Sequence, residues 1–260
     1  MLQVVVTRPK QDANSWVKAL SDAGYQPIEF PLLELTEFLN AQTAQDAFVQ
    51  IKRSQAVMFV SANAVRFLAQ ALEGRPDWVA HFQNGARAWC TGPGTAAALV
   101  QSGVPLEQID QPTLQAKQLD SEALWEVVLP QVAPGMNVLF VRGADESGAA
   151  AGRDWLAQEL DKSQVHVATM AAYQRNAAQF SSFQKEQVHQ LIAGGAIWLF
   201  SSSAALQNLM AQCPEANWAV AKATVTHPRI ADLAQKKGWG FVAIAPPGIH
   251  SLLASIKSLT

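Results

Sequence analysis

Nine short apolar runs recur along the chain, and stretches with helical periodicity separate most of them. The runs span residues 2–7, 26–31, 56–60, 86–90, 137–141, 165–170, 196–200, 223–226 and 241–245. Most lack the alternation of polar and apolar residues that is typical of a strand with one solvent-exposed face, so we expect strands that are buried on both faces. Strands that alternate with helices predict an α/β fold built on parallel sheets.

The composition fits such a fold and argues against several other classes. Of 260 residues, 49% are hydrophobic, and the net charge is −2. Disordered chains show the reverse, few apolar residues and a large net charge. A general nucleic-acid binder needs an excess of basic residues, which this chain lacks. The apolar runs are too short for a membrane-spanning helix, and the first twenty residues contain no secretion signal. We therefore expect a cytoplasmic protein without membrane contact. The two cysteines, Cys90 and Cys213, lie far apart, which argues against a disulfide framework or a zinc ribbon.

Three blocks of sequence occur twice, in the same order and roughly 135 to 140 residues apart. The pairs are FVSANAVRFL (59–68) with FSSSAALQNL (200–209), TGPGTAAALVQSGV (91–104) with THPRIADLAQKKGW (226–239), and VVVTRP (4–9) with VLFVRG (138–143). This pattern predicts an internal duplication and therefore two similar α/β lobes. On the repeat alone, the lobes would follow in tandem, divided within 110–135, near the cluster of Pro112, Pro130 and Pro134.

The predicted strands end in turns that are rich in small, hydroxylated and basic residues. The candidate site residues in these turns are Thr7, Arg8, Ser61, Asn63, Gly92, Thr95, Arg142, Gly143, Ser201, Ser202, Thr226 and Arg229. Parallel α/β sheets bind ligands beyond the carboxyl ends of their strands, and exposed N–H groups at helix starts suit anions. Any one of these turns also fits an ordinary helix cap. Together they indicate a cleft for an anionic ligand.

Known catalytic motifs are scarce in this chain. GPGTAA (92–97) fits the dinucleotide pattern G-x-G-x-x-A, but it follows the third strand of its lobe, and its counterpart HPRIAD lacks the glycines. A nucleotide-dependent enzyme therefore stays an alternative. The five histidines are scattered without the spacing of metal ligands, so we expect no metal.

Tyr173 is the candidate for acid–base chemistry. It lies in AAYQRN, just past the strand predicted for 165–170 and near the point where the chain passes between lobes. A phenol has an unperturbed pKa near 10, which makes it a proton donor at neutral pH. A boundary tyrosine with one wet end is the structural alternative, and the residues alone leave both open.

These segments together resemble the uroporphyrinogen-III synthase family over nearly the whole chain. The resemblance is carried by VVVTRPKQDANSWVKALSDAGYQPIEFPLLEL, FVSANAV, TGPGTAAAL, VLFVRG with GRDWLAQEL, AAYQR and VTHPRIADLAQKKGW. The insertion ADESGAAA (144–151) departs from the shorter family pattern around 152–153. The resemblance implies two similar flavodoxin-like parallel-sheet lobes joined by two chain crossings. One lobe would hold residues 1–35 and 176–260, and the other 36–175.

The resemblance also implies a substrate and a reaction. The substrate would be hydroxymethylbilane, a linear tetrapyrrole with eight carboxylates, which loses its terminal hydroxyl, inverts its last ring and closes without a cofactor. Tyr173 aligns with the family's proton-donating tyrosine. Ser61, Thr95 and Ser202 match hydroxyl positions that line the cleft, and Thr226 does so less closely. Arg8, Arg142 and Arg229 are carboxylate partners by their chemistry.

Other expectations complete this interpretation. We expect a monomer that receives its substrate from hydroxymethylbilane synthase. A two-lobed protein that binds an anionic ligand without chemistry, and a nucleotide-dependent enzyme that uses GPGTAA, remain the alternatives.

Overall fold

The computed structural model describes residues 1–75, 77–113, 118–150, 154–245 and 249–259. The chain divides into two compact units. Unit 1 comprises Met1–Glu34 and Asn176–Thr260, and unit 2 comprises Leu35–Arg175. The chain therefore passes twice between the units, and the proline cluster at 112–134 lies inside unit 2 rather than between the two.

Strands and helices alternate along most of the chain. The strands are β1 (Gln3–Val6), β2 (Gln26–Glu29), β3 (Leu33–Glu37), β4 (Ala56–Phe59), β5 (Arg87–Cys90), β6 (Ile109–Asp110), β7 (Asn137–Ala144), β8 (His166–Ala177), β9 (Ile197–Phe200), β10 (Lys222–Val225) and β11 (Phe241–Ile244). The helices are α1 (Lys10–Asp22), α2 (Ala41–Arg53), α3 (Ala62–Ala71), α4 (Asp77–Gln83), α5 (Pro93–Gln101), α6 (Ser121–Val128), α7 (Trp155–Lys162), α8 (Ser182–Ala193), α9 (Ser203–Gln212), α10 (Pro228–Lys236) and α11 (Ile249–Lys257).

Unit 1 is a doubly wound parallel sheet. Its strands lie in the order β2-β1-β9-β10-β11, and every neighbouring pair is parallel. Renumbered within the unit, this is the flavodoxin-like order 2-1-3-4-5. The expected α/β class with parallel sheets is confirmed.

Unit 2 has the same spatial order of parallel strands as unit 1, but the chain forms these strands in a different sequence. Its five parallel strands lie in the order β8-β7-β4-β5-β6, and β3 adds a sixth strand beyond β8. The repeat pairs β7 with β1, β4 with β9 and β5 with β10, so unit 2 again has the order 2-1-3-4-5. Along the chain, however, its third strand, β4, comes before its first, β7.

The two copies of the repeat have therefore exchanged their halves. The first copy supplies β1 and β2 to unit 1 and β4 to β6 to unit 2, while the second copy supplies β7 and β8 to unit 2 and β9 to β11 to unit 1. The tandem arrangement suggested by the repeat alone is not formed. This exchange is what makes the chain cross twice.

Helices cover both faces of each sheet, which explains the lack of alternation in the apolar runs. In unit 1, Val5 and Trp198 pack in one apolar cluster, whereas Val4 and Leu199 pack in another on the opposite face. In unit 2, Leu139 and Phe140 divide in the same way, and every residue of β4 is buried. Among the described residues, no helix combines the length and the apolar character that crossing a membrane requires.

The main corrections to the sequence prediction concern strand length. The seventh and eighth strands run on to Ala144 and Ala177, so Arg142 and Gly143 lie within β7, and Tyr173 lies within β8 rather than just past it. Polar residues in these segments interrupt the apolar pattern, but the backbones stay paired. Strands β3 and β6 were not predicted. The insertion is described through residue 150, and 151–153 lie outside the described residues.

Candidate functional site

In unit 2, a serine lies at the topological switch point of the sheet, where the strand order reverses between β7 and β4. Ser61 follows β4 and is the N-cap of α3, with an extended backbone that suits a cap. Its Oγ accepts a hydrogen bond from the Ala64 amide at 3.1 Å and lies 3.1 Å from Tyr173 Oη. The structure thus joins two residues that are 112 positions apart in the sequence.

The Tyr173 ring is enclosed by its own unit. Only 4% of the residue is exposed, and the ring stacks on Phe67 of α3 with centroids 5.3 Å apart and planes 20° apart. Phe67 was not a predicted site residue. Helical periodicity places it on α3, but no local signal shows that it meets a side chain from β8.

Arg142 and Gly143 support this region from within β7. Arg142 has a side chain that is 3% exposed, and its Nη1 pairs with Asp154 at 2.8 Å. Gly143 is buried and lies directly opposite Tyr173 in the sheet register. Neither residue occupies the open strand-end turn that the sequence suggested, because β7 continues past them. Asp154 also escaped prediction, since it lies in a helix-start segment with no strand signal.

The other candidates in unit 2 lie at helix starts. Asn63, 8% exposed, accepts a hydrogen bond from Arg66 through its Oδ1 at 2.9 Å. Gly92 is the N-cap of α5, and Thr95 lies buried in the first turn of the same helix.

The glycines of GPGTAA face open space rather than other parts of the protein. A Cβ atom on Gly92 or Gly94 would meet no atom of a non-neighbouring residue within 4 Å, so neither glycine is required for packing within the protein. The motif also follows β5, the fourth strand of the 2-1-3-4-5 order rather than the first. This place in the strand order disfavours the nucleotide alternative.

Unit 1 carries the matching turn after β1. Thr7 is buried and donates from its Oγ1 to the Leu199 carbonyl of β9 at 2.5 Å, so its hydroxyl ties the two switch-point strands together. Arg8 extends over the Trp16 ring, with Cζ 4.0 Å from the ring centroid. Burial lowers the pKa of the Arg8 guanidinium, while nearby Asp12 opposes that shift. A cation with little hydration is suited to bind a carboxylate.

The remaining candidates in unit 1 lie at the carboxyl ends of β9 and β10. Ser201 is exposed, and Ser202 caps α9 by accepting from the Ala205 amide at 3.4 Å. Thr226 is half-buried, and Arg229 is exposed in the first turn of α10. These positions correspond by the repeat to those around Ser61 and Gly92 in unit 2.

The described residues give little support for a catalytic cysteine or a metal site. Burial raises the pKa of the Cys90 thiol to about 12, so the thiol stays protonated at neutral pH. Across the described ranges, no group of three or more His, Cys, Asp or Glu residues is arranged to hold a metal ion. In unit 2, the geometry offers the buried Tyr173 phenol, held by the Ser61 hydroxyl. In unit 1, it offers the poorly hydrated Arg8 and helix starts that carry hydroxyl groups.

Comparisons with known proteins give a consistent result. A family model described as uroporphyrinogen-III synthase HemD matches residues 14–254. A curated protein from Chlorobaculum parvum, named uroporphyrinogen-III synthase, is 29% identical over 145 residues, which cover 55% of this chain and 54% of that protein. The match thus spans about half the length of the curated relative.

Two solved structures share the fold. The first is a mutant uroporphyrinogen III synthase from the extremely thermophilic bacterium Thermus thermophilus, with a TM-score of 0.60 and 15% identity over 100% of this chain and 98% of that chain. The second is uroporphyrinogen-III synthetase from Helicobacter pylori 26695, with a TM-score of 0.63 and 15% identity over the full length of both chains. At such low identity, these likenesses bear on the fold alone.

Proposed function

We propose that this chain, which belongs to the uroporphyrinogen-III synthase family, is a cyclising lyase that converts hydroxymethylbilane to uroporphyrinogen III with loss of water. The structural observation that carries the proposal is the Tyr173 phenol, held 3.1 Å from Ser61 Oγ at the switch point of unit 2. A reaction that begins with loss of hydroxide needs a proton donor, and this pair supplies one.

In the first step, the bond between the terminal carbon and its hydroxyl oxygen breaks. Tyr173 Oη donates a proton to that oxygen, which leaves as water. The lone pair of the adjacent pyrrole nitrogen stabilises the cationic carbon that remains, through a double bond between the ring and that carbon. The burial of Tyr173 keeps bulk water away from the phenol. Ser61 Oγ is placed to hydrogen-bond the phenolate that remains.

The later steps use the substrate's own pyrrole electrons, so the protein mainly holds a geometry. The substituted carbon of the last ring attacks the electrophilic methylene carbon and forms a spiro intermediate. The bond from that ring carbon to its original bridging carbon then breaks, and the bridging carbon bonds to the free carbon on the other side of the ring, which inverts it. The proton lost from the substrate at the end restores the phenol and balances the loss of water. Free bilane closes without inversion, so selectivity requires the protein to favour one pose in the transition state.

Eight carboxylates require many donors, and the helix starts of both units offer them. We propose that the substrate's carboxylates are bound by Arg8, Ser61, Asn63, Gly92, Thr95, Ser201, Ser202, Thr226 and Arg229. To Thr7, Arg142 and Gly143 we give supporting roles, because Thr7 Oγ1 bonds to Leu199, Arg142 Nη1 pairs with Asp154, and Gly143 packs against Tyr173.

The deciding experiment is an isomer assay. The protein is incubated with freshly prepared hydroxymethylbilane, and the type I and type III products are separated after oxidation. We expect type III to dominate. Type I alone, formed at the rate seen in buffer, would overturn the proposal, and tight binding of product without turnover would favour a binding protein.

A tyrosine pair tests the acid assignment separately. Tyr173→Phe is expected to lower turnover by about ten- to a thousandfold, as for loss of one general acid, while substrate binding persists. Tyr25→Phe, which changes the only other tyrosine, is the matched control and should leave turnover unchanged. Full activity of Tyr173→Phe would refute the proton-donor role and leave the overall reaction standing.

The finer expectations also remain proposals. We propose a cytoplasmic monomer that needs no cofactor and receives bilane from hydroxymethylbilane synthase. Light scattering of the purified protein would test the monomer, and cell fractionation would test the cytoplasmic location. A coupled assay with a trap for free bilane would test the transfer from hydroxymethylbilane synthase.

A further inference from the structure

We propose that a β-bulge in β8, opposite Gly143, aims the Tyr173 phenol at Ser61, and that Gly143 is a positioning residue for that phenol. The effect on turnover rests on the proposed function, whereas the placement of the ring is a property of unit 2 alone. The two parts can therefore be tested separately.

The bulge is visible in the pairing of β7 with β8. Arg142 lies opposite Ala171, but the next residue, Gly143, lies opposite Tyr173. Ala172 is thus an extra residue on the β8 side. A bulge of this kind leaves one residue without a partner and re-aims the side chains that follow it.

The packing of β8 shows that the direction of Tyr173 has changed. Before the bulge, Val167 packs on one face of the sheet, as does Val165 just ahead of β8, and Met170 packs on the other. Strict alternation would place Ala172 with Met170 and Tyr173 with Val167. Instead, both Ala172 and Tyr173 belong to the cluster on the Met170 face. That face carries α3, and it is where Phe67 and Ser61 meet the ring.

Gly143 leaves the space that the redirected ring occupies. A Cβ atom on Gly143 would lie 2.7 Å from Tyr173 Cζ and 2.9 Å from its Cε2. Both distances are well inside van der Waals contact, so any side chain here must displace the phenol end of the ring, together with Arg175 Nε, which would lie 2.9 Å from the same atom. The ring lies against Phe67 on α3, so a displacement must disturb either that stack or the 3.1 Å contact with Ser61.

The placement can be measured without any substrate. The chain has only two tyrosines, so protein labelled with 3-fluorotyrosine gives two ¹⁹F resonances, assigned with Tyr25→Phe. We expect Gly143→Ala to shift the Tyr173 resonance and leave that of Tyr25 in place. Gly94→Ala is the matched control, because a Cβ there meets no atom of a non-neighbouring residue within 4 Å. An unshifted Tyr173 resonance in folded Gly143→Ala would refute the positioning role.

Kinetics then test whether the placement matters for catalysis. Gly143→Ala should lower kcat by about tenfold to a hundredfold, the scale of a misplaced catalytic group, with little change in KM. In a Tyr173→Phe background, the same change should alter kcat by less than about twofold, because no proton remains to be positioned. An equal loss in both backgrounds would mean that Gly143 acts on general packing, which contradicts the proposal.

A second variant covers the case in which Gly143→Ala does not fold. Phe67→Leu removes the stacked ring from the α3 side, and we expect it too to shift the Tyr173 resonance and to lose kcat only when the phenol is present. If Phe67→Leu leaves the resonance in place, the proposed confinement of the ring is wrong. If the isomer assay finds no turnover, the ¹⁹F measurements still decide the role of the bulge.

Discussion

Replacing Ser61 with alanine should cost unit 2 more stability than the equivalent change costs unit 1. Ser61 and Ser202 occupy matching positions of the repeat, and each caps a helix by accepting from the amide three residues on. Losing such a cap costs about 1 kcal/mol. In the part of the chain that the structure describes, capping is the one side-chain hydrogen bond of Ser202 Oγ, whereas Ser61 Oγ also contacts Tyr173 Oη.

The additional cost follows from the burial of Tyr173. Its hydroxyl belongs to a residue that is 4% exposed, so removing the Ser61 oxygen leaves a buried polar group unpaired. That penalty is about 1–3 kcal/mol. We therefore expect Ser61→Ala to lower the unfolding free energy of unit 2 by about 2–4 kcal/mol, and Ser202→Ala to lower that of unit 1 by about 1 kcal/mol.

Amide hydrogen exchange followed by mass spectrometry measures both effects in one protein, since peptides from α3 and α9 report on each unit separately. A double-mutant cycle isolates the contact. In a Tyr173→Phe background, Ser61→Ala should cost only the cap, about 1 kcal/mol. An identical cost for Ser61→Ala in both backgrounds would show that the contact with the phenol contributes nothing, and our reasoning on the site would fail with it.

Three further predictions concern other buried polar groups. Asp110→Asn should destabilise unit 2 by about 2 kcal/mol, because the Asp110 carboxylate accepts hydrogen bonds from both Nε and Nη2 of Arg87; an unchanged urea midpoint would contradict this. Thr7→Val should cost unit 1 about 1 kcal/mol through the lost bond to Leu199, and exchange in β9 peptides would show it. The Cys90 pKa is raised from its ordinary 9.0 to about 12, so the folded state holds its proton longer than the unfolded state. Stability should thus fall between about pH 9 and 12, and Cys90→Val should remove part of that slope in urea titrations.

Much of the fold was predictable because burial on both faces leaves a plain signal. The apolar runs at 56–60 and 196–200 match β4 and β9 closely, since every residue of those strands is buried. The resemblance to the family is confirmed by the family match over 14–254. The α/β class needed only the order of these runs.

The site was less predictable, because its geometry depends on pairing between distant segments. Ser61 was identified from its strand-end position, which is local. The bulge at Ala172 was not, because a single extra residue in one strand has no signature until its partner strand is known. Arg142 was predicted to be open at a strand end, but the length of β7 depends on its neighbours rather than on its own apolar run.

The exchanged halves of the repeat also fix an order of events during synthesis. The first two strands of unit 1 leave the ribosome before unit 2 is made, yet the other strands of the same sheet, β9 to β11, follow only after unit 2. Unit 2 is continuous in the chain, so its sheet can close as soon as β8 has emerged. Unit 2 can therefore fold before unit 1 is complete, although unit 1 contains the earlier strands. Until β9 has emerged, β1 can pair with β2 but lacks its other neighbour, while unit 2 can already be folded.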